Sequence, residues 1–338
     1  MLLALFIFGV LILVHEFGHY ITARIFDVHI EEFSIGMGPK IFSRVSKKTN
    51  IRYSLRALPI GGYVAMVGEN EESEDERAFC KKSTWKRMII TAAGSVMNLL
   101  VGVILTFAVA VSAKSIGNTT VAQFDENAVS SQYGLMTEDE ILKIDGVRVH
   151  TANQLVYEIS RVTDGPVEIV VLRDGKEVVL PEVRFGTSTE EGIVFGERDF
   201  LVHAVEKSFG NIMRHTFYNS GLAVKSVWQS LIDLLTGRYS LKAVSGPVGV
   251  TQAITTVAKT GTVNLLYLVS VIAMNLGIFN LLPIPALDGG KLFFLFFELI
   301  FRKPINRKVE GYIHAAGMIL LLGLIALVSI KDIIKLFS

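Results

Sequence analysis

Two histidines four residues apart with a glutamate between them, His15-Glu16-Phe17-Gly18-His19, form the stretch best equipped for chemistry in this sequence. On a helix, positions i and i+4 share a face, so His15 and His19 can offer two ring nitrogens to one metal ion while Glu16 points beside it. Zinc suits two neutral imidazoles plus a carboxylate and an open fourth position, where bound water loses a proton near neutral pH, at roughly pKa 7. Glu16 is then the expected base. The His-Glu-x-x-His string also arises by chance. Here it follows Met1 to Val14, a run without a charge. Two histidines and a glutamate inside a membrane segment are costly unless partnered, which makes function the expectation.

The elements around that stretch must place it in a bilayer. The chain has 338 residues, 51% of them hydrophobic and only 19% charged, with a mean hydropathy of +0.47. That is too apolar for an ordinary soluble domain and long enough for several spans plus an insert. A net charge of +1 argues against a broad nucleic-acid surface, so no nucleic-acid partner is expected. The single cysteine, Cys80, excludes an intrachain disulfide and a cysteine-based zinc site.

Met1 to about Ile25 reads as a retained first span rather than a signal peptide, because no basic region precedes it and no small-x-small cleavage site follows. Phe33 to Val67 carries short β-rich runs broken by Gly36, Gly38, Pro39 and Gly61-Gly62, as hairpins require. From these residues alone it is either a plain cytosolic hairpin or an edge that touches substrate. The acidic run Glu69 to Arg77 reads as a solvated loop. Trp85-Lys86-Arg87 anchors a second span, Met88 to Ala113, in which Asn98 is expected to bond a neighbouring helix.

From Lys114 to Gly196, turns at Asp145-Gly146, Asp164-Gly165-Pro166 and Asp174-Gly175 separate β-branched runs and predict a compact β-rich domain. Its segment Tyr133 to Gly146 resembles the central signature of PDZ domains, with Glu138 where a glycine is usual. Such modules take an extended peptide onto a sheet edge; the alternative is a steric filter that binds nothing. Val205 to Leu235 has helical apolar spacing interrupted by Lys207, Arg214, Lys225 and Asp233, predicting one or two amphipathic helices on the membrane or against the other spans. Val263 to Leu282 is the third span, Leu292 to Phe301 is too short to cross, and Tyr312 to Ile330 is the fourth.

The third span runs into Pro283-Ile284-Pro285-Ala286-Leu287-Asp288. Two prolines unwind a helix there, and broken backbone at membrane depth is tolerated only in protein or beside a wet cavity. Lys and Arg concentrate in the loops between spans one and two and before span four, which places both loops in the cytoplasm. Both termini and the β-rich insert are then outside the cell. By this parity His15, His19 and Asp288 all fall toward the cytoplasmic ends of their helices, and Asp288 is the expected third ligand. Glu298 and Glu310 read as ion-pair or surface residues, and His314 as a packed or interfacial histidine.

Together, His-Glu-x-x-His in span one, Asn280-x-x-Pro283-x-Pro285-x-x-Asp288-Gly289 in span three and the PDZ-like insert resemble the RseP-type branch of the site-2 protease family, the intramembrane zinc metalloproteases, over nearly the whole chain. The resemblance implies zinc on His15, His19 and Asp288, with Glu16 as catalytic acid and base. It also implies substrate contacts from Asn280, Pro283 and Pro285, and a membrane-reentrant β-loop containing Gly36 and Gly38. Gly94 and Asn98 match a span-two motif, with Ser95 where proline is common. Some RseP-type proteins carry two PDZ domains; this chain has room for one.

The expected fold class is a polytopic α-helical membrane protein with four transmembrane helices, a cytoplasmic-side β-hairpin sheet and one inserted PDZ-like domain. Its parts are 1–113 (spans one and two with the β-loop 33–67), 114–196 (PDZ-like), 197–262 (amphipathic helical linker) and 263–338 (spans three and four). The expected setting is the cell membrane, with single-span membrane proteins as substrates, such as anti-sigma factors or remnant signal peptides, and a peptide as the ligand of the PDZ-like insert. Two rivals remain at this point: a non-enzymatic scaffold with a structural metal, which needs four closed protein ligands, and a metal-ion transporter, which needs ionisable residues spread along a pathway.

Overall fold

A computed structural model of the chain describes residues 1–69, 71–163, 165–190, 192–238, 244–303 and 305–337. Two compact units emerge, one made of 1–104 with 245–338 and the other of 105–244. In chain order the elements are α1 (Leu2–Ile25), β1 (Ile30–Val45), β2 (Arg52–Met66), α2 (Thr84–Ser112), β3 (Ile116–Phe124), β4 (Glu140–Ile144), β5 (Val147–Arg148), α3 (Ala152–Ser160), β6 (Val167–Arg173), β7 (Lys176–Val183), β8 (Gly186–Glu190), β9 (Ile193–Glu197), β10 (Phe200–Val205), α4 (Phe209–Leu235), α5 (Pro247–Ala258), α6 (Thr262–Leu281), α7 (Asp288–Phe301) and α8 (Arg307–Phe337).

Among the described residues, four helices are long and apolar enough to cross a membrane: α1, α2, α6 and most of α8. Between helices in lipid there is no hydrophobic driving force, so small residues must let backbones approach. Ala4, Ile7 and Leu11 of α1 pack on Ile254 of α5 and on Ile272 and Ala273 of α6. The last turn of α6 gives way at Leu282, which is extended, and α7 begins at Asp288. Pro283 and Pro285 fall in the break, as expected of residues that cannot continue a helix. Ala286 takes a left-handed φ of +79°, and its N–H donates to His314 Nδ1 at 2.9 Å, so His314 packs by holding the turn that presents Asp288.

The expected hairpin sheet is present and bent on itself. The first part of β1 pairs with both ends of β2: Ile35 lies opposite Gly62 on one side and Leu55 on the other, while Phe42 to Val45 pair with Leu55 to Arg52. The spatial order is therefore 62–66, 30–35, 52–55, 42–45, with 62–66 as a free edge among the described strands. Buried Glu32 braces the bend by accepting from Arg56 Nη2 at 2.9 Å and pairing with Lys40 at 3.3 Å, and Arg56 reaches on to Gly38 O and to the Tyr63 hydroxyl. Burial opposes ionisation of Glu32, but hydrogen bonds from Ser54, Arg56, Tyr63 and Lys40 outweigh it and hold its pKa at about 2.

The second unit is built on a sheet of order β10-β3-β4-β6-β7, with β5 against β4. Its core joins Val121, Ile141, Leu155, Ile169, Val171 and Phe200. Asp145 and Asp174 take φ of +46° and +51° before Gly146 and Gly175 at +75°, the left-handed pairs that Asp-Gly hairpins supply. Asp164 of the third expected turn lies outside the described residues. Glu138 takes φ +68°, which explains why glycine is usual there in the signature. The β-rich body does not stop at Gly196: β10 pairs with β3 and closes the sheet. The segment 197–262 is accordingly not one linker, since β10 and α4 belong to the second unit and α5 to the first; 239–243 lie outside the described residues. α4 is a helix as its spacing predicts, but its cited polar contacts are with the two ends of α3 in the second unit, where Asn219 meets Thr151 and Asp233 pairs with Arg161 at 2.6 Å.

Candidate metal centre and active site

His15 and His19 face inward on α1, each 8% exposed. His19 Nδ1 lies 2.8 Å from the Ile90 carbonyl of α2. A carbonyl only accepts, so Nδ1 carries the proton and Nε2 presents its lone pair, the arrangement by which metal-ligating histidines are oriented. His15 Nε2 stands 3.2 Å from His19 Nε2, and Asp288 Oδ2 is 3.0 Å from the first and 3.3 Å from the second. These three residues are the one group of three metal-capable side chains found among the described residues.

The convergence fits a cation. An ionised carboxylate accepts only, and His19 Nε2 is likewise an acceptor. Zinc bonds of roughly 2.0–2.1 Å put tetrahedral ligand atoms about 3.3 Å apart, close to the three separations found. Three protein donors leave a fourth position, as catalytic zinc sites do.

Close approach of α1 and α2 makes this possible. A Cβ on Gly94 would lie 2.8 Å from His15 Cε1 and Nε2 and would also collide with His19 Nε2. On the other side, a Cβ on Gly289 would strike the carbonyls of Leu281 and Leu282, so the Asp288-Gly289 pair can tuck α7 beneath the end of α6.

Glu16 faces a cavity of about 690 Å³ that also opens onto His15, His19 and Asp288. Its carboxylate accepts a backbone hydrogen bond from Val64, and a Cβ on Gly62 would sit 3.5 Å from its Cγ. The free edge 62–66 thus runs beside Glu16. The described lining of this cavity does not include Gly36, Gly38, Asn280, Pro283 or Pro285. Gly36 and Gly38 lie at the bend of β1 with φ of +84°, and Asn280 lies half-buried in the last turn of α6.

Three wall elements went unread in the sequence. The acidic run taken as a solvated loop contributes Glu69, Glu71, Glu72 and Ser73; nothing in an acidic loop signals which cavity it borders. Thr91 lies one residue after Ile90. Lys291 follows Asp288 by three positions, so helical spacing alone puts it on the same face. Its ammonium pairs with Glu69 Oε1 at 2.7 Å. Burial alone would lower the lysine pKa, and the Glu69 carboxylate reverses that and holds it above the ordinary value. Glu298 is an ion-pair residue as expected, accepting from Arg87 and Thr84.

Residues 3–324 match Peptidase family M50. A protein of Clostridium acetobutylicum named as a zinc metalloprotease is 36% identical, over 98% of this chain and 96% of its own length. One of Fusobacterium nucleatum with the same description is 37% identical, over 100% and 99%. The regulator of sigma-W protease RasP of Bacillus subtilis is 29% identical, over 98% and 97%.

Proposed function

The chain belongs to peptidase family M50 and is a zinc metalloprotease of the site-2 type, and from that premise we propose that it hydrolyses peptide bonds within the membrane-spanning segments of single-span proteins, with His15, His19 and Asp288 holding the zinc and Glu16 moving the proton. The observation that carries this reading is the near-equilateral triangle of donor atoms, 3.0–3.3 Å on a side, opening into the cavity that Glu16 faces. A purely structural metal would be closed by a fourth protein ligand, and among the described residues the cluster has three.

A helical substrate hides its amides in internal hydrogen bonds and must be unwound before it can be cut. The free edge 62–66 is suited to this, because an extended chain can add to it through backbone hydrogen bonds. Glu16 accepts the proton of the attacking water and delivers it to the departing amide nitrogen. Zinc, when bound, supplies Lewis-acid polarisation of the carbonyl and eases deprotonation of water. His19, locked by Ile90, keeps its lone pair aimed at the ion, and Asp288 balances its charge. Pro283 and Pro285 serve substrate binding at one remove, by breaking α6 so that α7 starts at Asp288. Asn280 is assigned to hold the unwound chain, and Gly36 and Gly38 to shape the bend of the sheet that receives it.

The basic loops assign the active site to the cytoplasmic side, and the termini and the second unit to the other. Ile35, Met37, Ile41, Phe42, Leu55 and Leu58 are exposed on the bent sheet, as suits a loop dipping into lipid. The second unit, read as a PDZ-like domain, would take a peptide on a sheet edge. RasP carries the name regulator of sigma-W protease, which points to control of a sigma factor, so anti-sigma factors are one substrate class and remnant signal peptides another.

The test is Glu16→Gln. It should leave folding and zinc content intact and lower cleavage of a single-span substrate by about 100- to 10,000-fold, the usual worth of acid–base help. Undiminished cleavage would remove Glu16 from the mechanism.

A further inference from the structure

Three residues that line the active-site cavity, Glu69, Thr91 and Lys291, also line a second cavity of about 770 Å³. We propose that this second chamber receives the stretch of substrate chain that runs on past the metal triad, and that the Lys291–Glu69 ion pair is the partition that parts to admit it. The inference rests on the proteolytic reading above and adds to it a path for the substrate.

The chamber lies within the roughly 300–1,000 Å³ typical of ligand sites. Its walls mix Phe79, Phe294, Leu295 and Met318 with Arg87, Glu298, Glu310 and His314. Arg87 and Glu298 already pair with each other, so an acyl chain would fail chiefly at the polar edge of His314, and a small ion would leave the apolar wall unfilled. A polypeptide brings a donor and an acceptor with every residue and side chains between them. His314 sharpens the point. Its Nδ1 accepts from Ala286, so in the neutral ring Nε2 carries the proton, and that buried Nε2 has no partner among the described residues. A buried donor without an acceptor calls for one, and a substrate carbonyl would supply it.

The route is continuous. The free edge 62–66 runs along the active-site cavity, and two residues on, at Gly68, a Cβ would stand 2.8 Å from Cys80 Sγ, which lines the second chamber. A chain laid along that edge advances roughly 3.3 Å per residue from the Glu16 region directly toward the partition. The barrier there is a single ion pair between two long side chains, 33% and 20% exposed, so parting it takes side-chain rotation and no backbone movement.

Cys80 is the only cysteine in the chain, so a thiol reagent addresses this chamber alone. The full-length, zinc-loaded protein in detergent would be alkylated with a bulky maleimide and assayed on a synthetic peptide carrying one apolar span of about 20 residues that the untreated enzyme cuts. The expected result is at least a tenfold loss of kcat/KM with zinc content unchanged, and no effect of the reagent on Cys80→Ser. Ala315→Trp, which fills the chamber from α8, should lose activity similarly. In Glu16→Gln, bound peptide should slow alkylation of Cys80 at least threefold. Cleavage within twofold of the untreated enzyme after full alkylation, or in Ala315→Trp, overturns the chamber while leaving the metal site standing; cleavage by Glu16→Gln would strike the catalytic reading instead.

Discussion

Gly94→Ala offers the sharpest test of how the proposed metal centre is built. The added methyl would meet both imidazoles, at 2.8 Å from two atoms of His15 and closer still to His19 Nε2, where ordinary contacts begin near 3.4 Å. The rings cannot simply swing aside, because both are buried and His19 is tied to Ile90. In an open helical position the same change would stabilise by up to about 1 kcal/mol; here overpacking costs about 1–3 kcal/mol. If the helices stay together, that strain falls on the ligand geometry, and 1.4–2.8 kcal/mol corresponds to about 10- to 100-fold in zinc affinity, comparable with the loss of an orienting partner. Competition with a chelator would measure the affinity, and thermal melting of the zinc-free protein would report the fold. The control is Gly323→Ala in α8, where a Cβ meets nothing within 4 Å. Wild-type zinc affinity and cleavage in Gly94→Ala would refute the close-approach account.

Further outcomes follow from the sheets. Glu138→Gly should stabilise the second unit by about 1 kcal/mol, because it relieves a left-handed φ and loses only an exposed pair with His203, of a kind worth about 0–1 kcal/mol; a lower melting temperature would contradict this. Glu32 has its folded pKa depressed to about 2 from 4.5, so its contribution is complete above about pH 4.5 and is lost as pH falls toward 2. Stability followed across that window should fall less steeply in Glu32→Gln than in the native protein, and identical profiles would deny the carboxylate its bracing role.

The meeting of His15, His19 and Asp288 was legible where local spacing carried it. His15 and His19 share a face by helical periodicity alone, and the Pro283-x-Pro285 break announced both where α6 ends and where a polar ligand could stand. The four apolar helices followed from length and hydropathy. What the sequence did not disclose depends on tertiary neighbours. The acidic run from Glu69 has the composition of a solvated loop, and only the return of β2 past α1 makes it a cavity wall. The edge role of 62–66 arises from a double pairing of β1 that no alternation pattern encodes, because 30–35 pairs on both sides, with 62–66 and with 52–55. β10 joins the second unit by pairing with β3, a strand some 80 residues earlier in the chain, and a period-two run does not name its partner.

The same geometry explains how so polar a cluster persists between apolar helices. Helices in lipid gain little from burying apolar surface against one another, so the approach of α1 to α2 must come from small residues. Gly18 sits against the Ala93 carbonyl and Gly94 against the imidazoles, which brings Ile90 within reach of His19. The third donor comes from the far half of the chain, delivered by the α6–α7 break. A cation at their meeting point therefore joins two halves of the first unit that otherwise meet through packing and the Arg87–Glu298 and Lys291–Glu69 ion pairs. Zinc that binds only this assembled arrangement must stabilise it by mass action, so the residues that position the chemistry also bind the unit together.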